Sequence, residues 1–124
     1  MNLRRWLPPI LWMGAILTAT SIPGRFLPVT SIHFADKLVH FFMYGVLGFL
    51  LARAMDDPVH TSRARAWMGA FLFCITIGAT DEWHQKFIQG RTADGADWVA
   101  DSTGGLIGAS IWMLLGRNRA ARIA

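Results

Sequence analysis

Four apolar blocks, each about 15 to 20 residues long, dominate this chain and limit what it can fold into. They run from about Trp6 to Ser21, Ala35 to Ala54, Ala66 to Trp83 and Trp98 to Leu115. A helix of roughly 20 residues crosses a hydrocarbon core of about 30 Å, and blocks of this length suit that task. A lone spanning segment must satisfy its own backbone hydrogen bonds, which only a helix does. A barrel would show pieces of about ten residues with alternating polarity, and that pattern is absent. Only 16% of the 124 residues are charged, where a soluble domain carries about 25%. The expectation is an all-α protein: an integral membrane four-helix bundle with short loops, built as one domain over residues 1–124.

Local signals refine the blocks. Pro8 and Pro9 fall in the expected opening turn of the first, where a missing N–H costs little. Trp6, Trp67, Trp83, Trp98 and Trp112 lie near block ends, as interfacial anchors do. Arg4 and Arg5 ahead of a short apolar run resemble a signal peptide, but no clean Ala-x-Ala site follows. "SIPG" (21–24) looks more like a helix exit and a turn. Cys74 is the sole cysteine, is centred in the third block, and gives no internal disulfide. His33 and His60 fall in loops and carry no signal.

Orientation follows from Lys and Arg in the short connections. With the N-terminus inside, Arg4, Arg5, Arg53, Arg63, Arg65, Arg117, Arg119 and Arg122 are cytoplasmic, against Arg25, Lys37, Lys86 and Arg91 outside. Asp56 and Asp57 fall inside, and the other six acids outside. The inner segments then carry +6 and the outer −2, which together make the chain's +4. Both termini are expected in the cytoplasm, with the inner excess attracting anionic lipid heads. Nucleic acid is not an expected partner.

The outward acids are ordered. Asp36, His40 and Tyr44 are four apart and share one face below the outer end of the second block. Asp81 and Gln85, with Glu82 alongside, do the same on the third, and Asp97 and Asp101 on the fourth. Ionisable groups at that depth face one another or a wet cavity rather than lipid. One polar pocket opening outward is expected, lined by these residues and Arg91, with Lys37 and Lys86 as further counter-charges. Gly104 and Gly108 form a G-x-x-x-G that lets helices approach closely, within the bundle or between two copies. Gly45 and Gly48 are its expected partners.

The stretches "DKLVHFFMYGVLGFL" (36–50), "DEWHQKFIQGR" (81–91) and "DWVADSTGGLIG" (97–108) resemble the VanZ family. "SIPG" fits as well, and the resemblance covers about residues 20 to 110. Gln89 departs from it, standing where the family usually has proline before Gly90 and Arg91. The resemblance implies a small helical protein of the bacterial cytoplasmic (inner) membrane. The family's founding member is linked to low-level resistance to teicoplanin, a glycopeptide, without remaking the peptidoglycan precursor. No established reaction comes with the family.

Residue chemistry leaves several roles open. Asp81, Glu82, Asp97 and Asp101 with His40 offer oxygens and one imidazole to a divalent cation such as Mg²⁺, Mn²⁺ or Zn²⁺. The same acids can instead bridge to Lys37, Lys86 and Arg91, or line a site for a lipid head group or cell-wall precursor. His40 can act as a general base oriented by a carboxylate, or as a structural histidine. Arg91 can hold a phosphate or carboxylate, or pair with Asp94 or Asp97. Three functional readings follow: recognition of an envelope component, a membrane-embedded hydrolase or transferase acting on a lipid-linked phosphate or ester, and a structural partner of a larger envelope protein.

Overall fold

The computed structural model describes residues 3–27, 34–57 and 60–121, and side chains only as far as residue 115. His33 and Arg122, both weighed above, lie outside the described residues. Among the described residues there are four α-helices and no strand: α1 (Leu3–Thr20), α2 (Ala35–Met55), α3 (Arg63–Gln85) and α4 (Gly95–Ala121). A single 3-10 turn, Gly24–Phe26, follows α1. α1 begins earlier than its apolar block, so Pro8 and Pro9 sit in its second turn rather than its first. α3 starts at a serine cap, with Ser62 Oγ accepting from the Arg65 amide at 3.4 Å.

Contacts at the two ends fix an up-down-up-down order. The end of α1 meets the end of α3 through Thr20 and Asp81, and the start of α2 meets α4 through His40 and Asp101. At the opposite end, Asp56 gathers three helices. Its carbonyl accepts from Arg5, and its carboxylate accepts from Arg63 and Trp112. The start of α1 and the end of α4 therefore belong to this second end.

α2 is the centre of the packing, with its largest contact on α4 and smaller ones on α3 and α1. Gly45, Gly48, Gly104 and Gly108 make that contact a backbone-to-backbone one. A methyl group on Gly48 would collide with the Gly105 carbonyl, and one on Gly108 with the Gly45 carbonyl. Gly104 likewise lies on the Phe41 carbonyl. Such proximity maximises dispersion contact without large side chains. The core is accordingly slight: Ile16, Tyr44, Leu47, Leu51, Ala52, Ala70, Cys74 and Ala109.

Tryptophans lace this core together. The Trp12 indole donates to the Met43 carbonyl, Trp67 to Ser110 Oγ and Trp98 to the Ile75 carbonyl, each bond joining two helices. An indole N–H removed from water needs such an acceptor.

The large apolar side chains point the other way. Leu11, Phe42, Leu72, Val99 and Ile111 are all exposed, while seven polar or charged residues are buried. Among the described residues α2 is the one helix long and apolar enough, by length and composition, to cross a membrane.

The α2–α4 contact gives a direct test. Gly48→Ala should cost about 3 kcal/mol, at the upper end for overpacking because backbone opposes it. Gly14→Ala, at a position with nothing within 4 Å of the added carbon, should gain about 0.5–1 kcal/mol from helix propensity. Thermal unfolding in detergent measures both, and equal responses would contradict the packing described.

Candidate functional site

The polar residues of four helices converge at the end of the bundle opposite Asp56. Lys37, in the first turn of α2, lies between three carboxylates. Its Nζ donates to Asp94 Oδ2 at 2.8 Å, Asp97 Oδ1 at 3.0 Å and Asp36 Oδ2 at 3.2 Å. The Lys37 hydrogen bond holds the Asp94 carboxyl below its ordinary range. Asp94 also caps α4, with its Oδ1 accepting from the Ala96 amide at 2.9 Å.

Deeper in the bundle the partners change. His40 Nδ1 lies 2.9 Å from Asp101 Oδ1, joining α2 to α4. Glu82 Oε2 accepts from the Asp94 amide at 2.8 Å, tying α3 to the start of α4. Asp81 Oδ1 accepts from Thr20 Oγ1 at 2.7 Å, and Gln85 Nε2 reaches Asp81 Oδ2 at 3.5 Å. Tyr44, one turn below His40, is fully buried. Its hydroxyl, Glu82 Oε1 and Asp101 Oδ2 are buried without a hydrogen-bond partner. Gly78 makes room for Asp101: a methyl group there would stand 3.0 Å from the Asp101 Cβ.

Seven of the ten residues of the anticipated outward-opening pocket do not open outward. His40, Tyr44, Asp81, Glu82, Gln85, Asp97 and Asp101 are packed shut between helices, each buried. Their closure follows from the glycines of α2, α3 and α4, which let the backbones close over the layer. The open space lies beside them, a cleft of about 270 Å³ lined by α1, α2 and Arg91. Asp36, His40 and Arg91 supply its polar part, and Ala19, Ile22, Leu27, Val39 and Met43 most of its apolar wall.

Arg91 bonds to backbone rather than to Asp94 or Asp97. Its Nε donates to the Ile22 carbonyl at 3.1 Å and its Nη2 to the Ala19 carbonyl at 3.0 Å. A guanidinium at a helix C-terminus meets carbonyls that have no helical donor, and opposes the negative end of the dipole. The loop beneath it is held despite Gln89. Gly24 N donates to the Gln89 carbonyl at 3.0 Å, a bond to which a proline at 89 would also contribute its oxygen. Gly90 adopts φ +76° and packs on Gly24, which is why both are glycine. Lys86 makes no ion pair among the described residues.

Sequence reasoning missed Thr20. It is 2% exposed and donates the shortest hydrogen bond received by Asp81. A threonine at the end of an apolar block carries no mark that separates it from its neighbours Thr18 and Ser21, whose hydroxyls bond back to their own helix.

The family model described as VanZ/LLP1 matches residues 6–116, most of the chain and all the residues of the layer and cleft. Neither the curated proteins nor the solved structures give a match.

Thr20→Val keeps the shape and removes the donor to buried Asp81, so it should cost about 1–3 kcal/mol. Thr20→Ser should restore most of that loss. Thermal unfolding in detergent distinguishes them, and a valine variant as stable as the parent would contradict the role assigned to Thr20.

Proposed function

The chain belongs to the VanZ/LLP1 family, and we propose that it is a four-span protein of the bacterial cytoplasmic membrane that recognises an anionic envelope lipid or lipid-linked cell-wall precursor. The ligand enters from the outer side. The observation that carries this reading is the cleft between α1 and α2, with Arg91 and His40 against an apolar wall. A head group bearing phosphate or carboxylate suits the cationic side, and an acyl or prenyl chain suits Val39, Met43 and Leu27.

The membrane reading draws on the inverted distribution of polarity. Large apolar residues cover the outside, including Phe42 at 65% exposure and Phe87 at 69%, while carboxylates fill the inside. In water that arrangement forfeits hydrophobic burial, whereas in lipid it is favourable. The excess of basic residues toward that end supports its facing the cytoplasm. A contribution to glycopeptide resistance of the teicoplanin type is then one consequence of binding an envelope component.

A second reading has its own observation. The His40 imidazole is oriented by Asp101 and also borders the cleft. That is the arrangement of a general base serving a hydrolase or transferase on a lipid-linked phosphate or ester. Turnover of such a lipid by the purified protein would move the assignment from recognition to catalysis.

Two measurements test the proposal. Native mass spectrometry of the full chain in detergent should show retention of phosphatidylglycerol or undecaprenyl phosphate over a neutral lipid. Val39→Trp fills the cleft from a half-exposed position and should reduce that retention about tenfold, a change of about 1.4 kcal/mol. Equal retention of neutral and anionic lipid would contradict the proposal. In a Cys74→Ala background, an impermeant thiol reagent on intact cells should label Thr92→Cys and leave His60→Cys unlabelled. The reverse pattern would overturn the orientation.

A further inference from the structure

Asp81, Glu82 and Asp101 are 7% exposed or less, yet none is paired with a lysine or arginine among the described residues. Lys37 is committed to Asp36, Asp94 and Asp97, and Arg91 to backbone carbonyls. A buried carboxylate without a cation is costly, so this shortage of positive charge needs an answer. Asp81 has one in part, the hydroxyl of Thr20 and the amide of Gln85. Glu82 and Asp101 each keep one oxygen fixed by the protein and one without a partner.

We propose that His40, Glu82 and Asp101 form a binding site for a divalent transition cation, assembled from one residue each of α2, α3 and α4. Their ligand atoms lie within 4.8 Å of one another. A cation bonded at about 2.1 Å to two atoms spans up to about 4.2 Å, so rotamer-scale adjustment closes the set. One fixed oxygen already has the kind of supporting bond found around metal ligands. On Glu82 that bond comes from the Asp94 amide, which lies outside the ligand set.

A second feature points into the same place. Tyr44 is fully buried and its hydroxyl has no partner. It stands one turn below His40 on the same face of α2. A cation between the three ligands, or a water on that cation, gives this hydroxyl a neighbour. One imidazole with two carboxylates selects Zn²⁺ or Mn²⁺ over Mg²⁺ or Ca²⁺, which prefer oxygen alone. Because His40 also borders the cleft, the cation would lie within one side chain of a bound head group. The site does not depend on the cleft taking a lipid.

The test uses the full chain purified in detergent, stripped with EDTA, then given Zn²⁺, Mn²⁺, Mg²⁺ or Ca²⁺ singly. Zn²⁺ or Mn²⁺ should bind one per chain by elemental analysis after desalting. It should also raise the unfolding midpoint on the order of 5–10 °C at a hundredfold excess over Kd. Glu82→Gln keeps the bond from Asp94, and should fold yet lose both effects; His40→Gln should do the same. Absence of a retained cation and of any midpoint shift in the parent chain would overturn the site, whatever the variants do. So would equal stabilisation by Mg²⁺, or full retention by a folded Glu82→Gln. Lipid retention is a separate readout, so failure of the cation site and failure of lipid recognition are distinguishable.

Discussion

Three carboxylates buried between helices without a lysine or arginine partner, the one lysine nearby being committed to other acids, constrain the rest of this bundle. Desolvating such groups costs several kcal/mol each unless donors or cations meet them. The helices meet that demand piece by piece. α1 contributes a threonine hydroxyl, α2 an imidazole, α3 a glutamine amide, and the loop before α4 a backbone N–H. Loss of α1 would strand Asp81 on α3, loss of α2 would strand Asp101 on α4, and loss of the α4 start would strand Glu82 on α3. The oxygens that remain unclaimed, Glu82 Oε1 and Asp101 Oδ2, mark where the protein's own donors end.

The glycines are the other half of the same arrangement. A polar layer is dry only if the backbones beneath it are close, and Gly48, Gly104 and Gly108 bring α2 and α4 together where no methyl group fits. Gly78 does so for α3 under Asp101, and Cys74 fills the space beside Gly105. Close packing at depth thus keeps the acids in low dielectric, where pairing matters most. The same closure displaces the open space sideways, to the cleft beside α1. There Arg91 fastens the Gly90 loop to the end of α1, while His40 reaches the layer from below.

Much of this was legible in residue spacing. The i, i+4 pairs Asp36–His40, Asp81–Gln85 and Asp97–Asp101 place side chains on one helix face, and the structure brings those faces to one level. The G-x-x-x-G at 104–108 meets Gly45 because small residues at that interval leave a groove. Spacing is silent, however, on competition between partners. Arg91 had carboxylates in sequence reach, but two carbonyls at the end of α1 lay closer in space. Thr20 looked like any helix-end hydroxyl, since its partner lies on another helix 61 residues away. Whether the layer was open or shut depended on Gly78, whose meaning appears only once α3 and α4 are side by side. The start of α1 was misplaced because the apolar pattern begins only after charged Arg4 and Arg5, whereas the helix begins before them.

On the proposed reading the buried acids serve a ligand and are not merely struts. The measurement that tests it most directly compares thermal stability and anionic lipid retention for Asp101→Asn, side by side in detergent. An asparagine keeps the shape and can still bond to His40, so unfolding should change by no more than about 1 kcal/mol. Lipid retention should fall about tenfold or more, because His40 loses the charge that orients it at the cleft. A loss of stability matched by the loss of retention, or stability and retention both unchanged, would contradict the claim and leave Asp101 as a structural partner of His40.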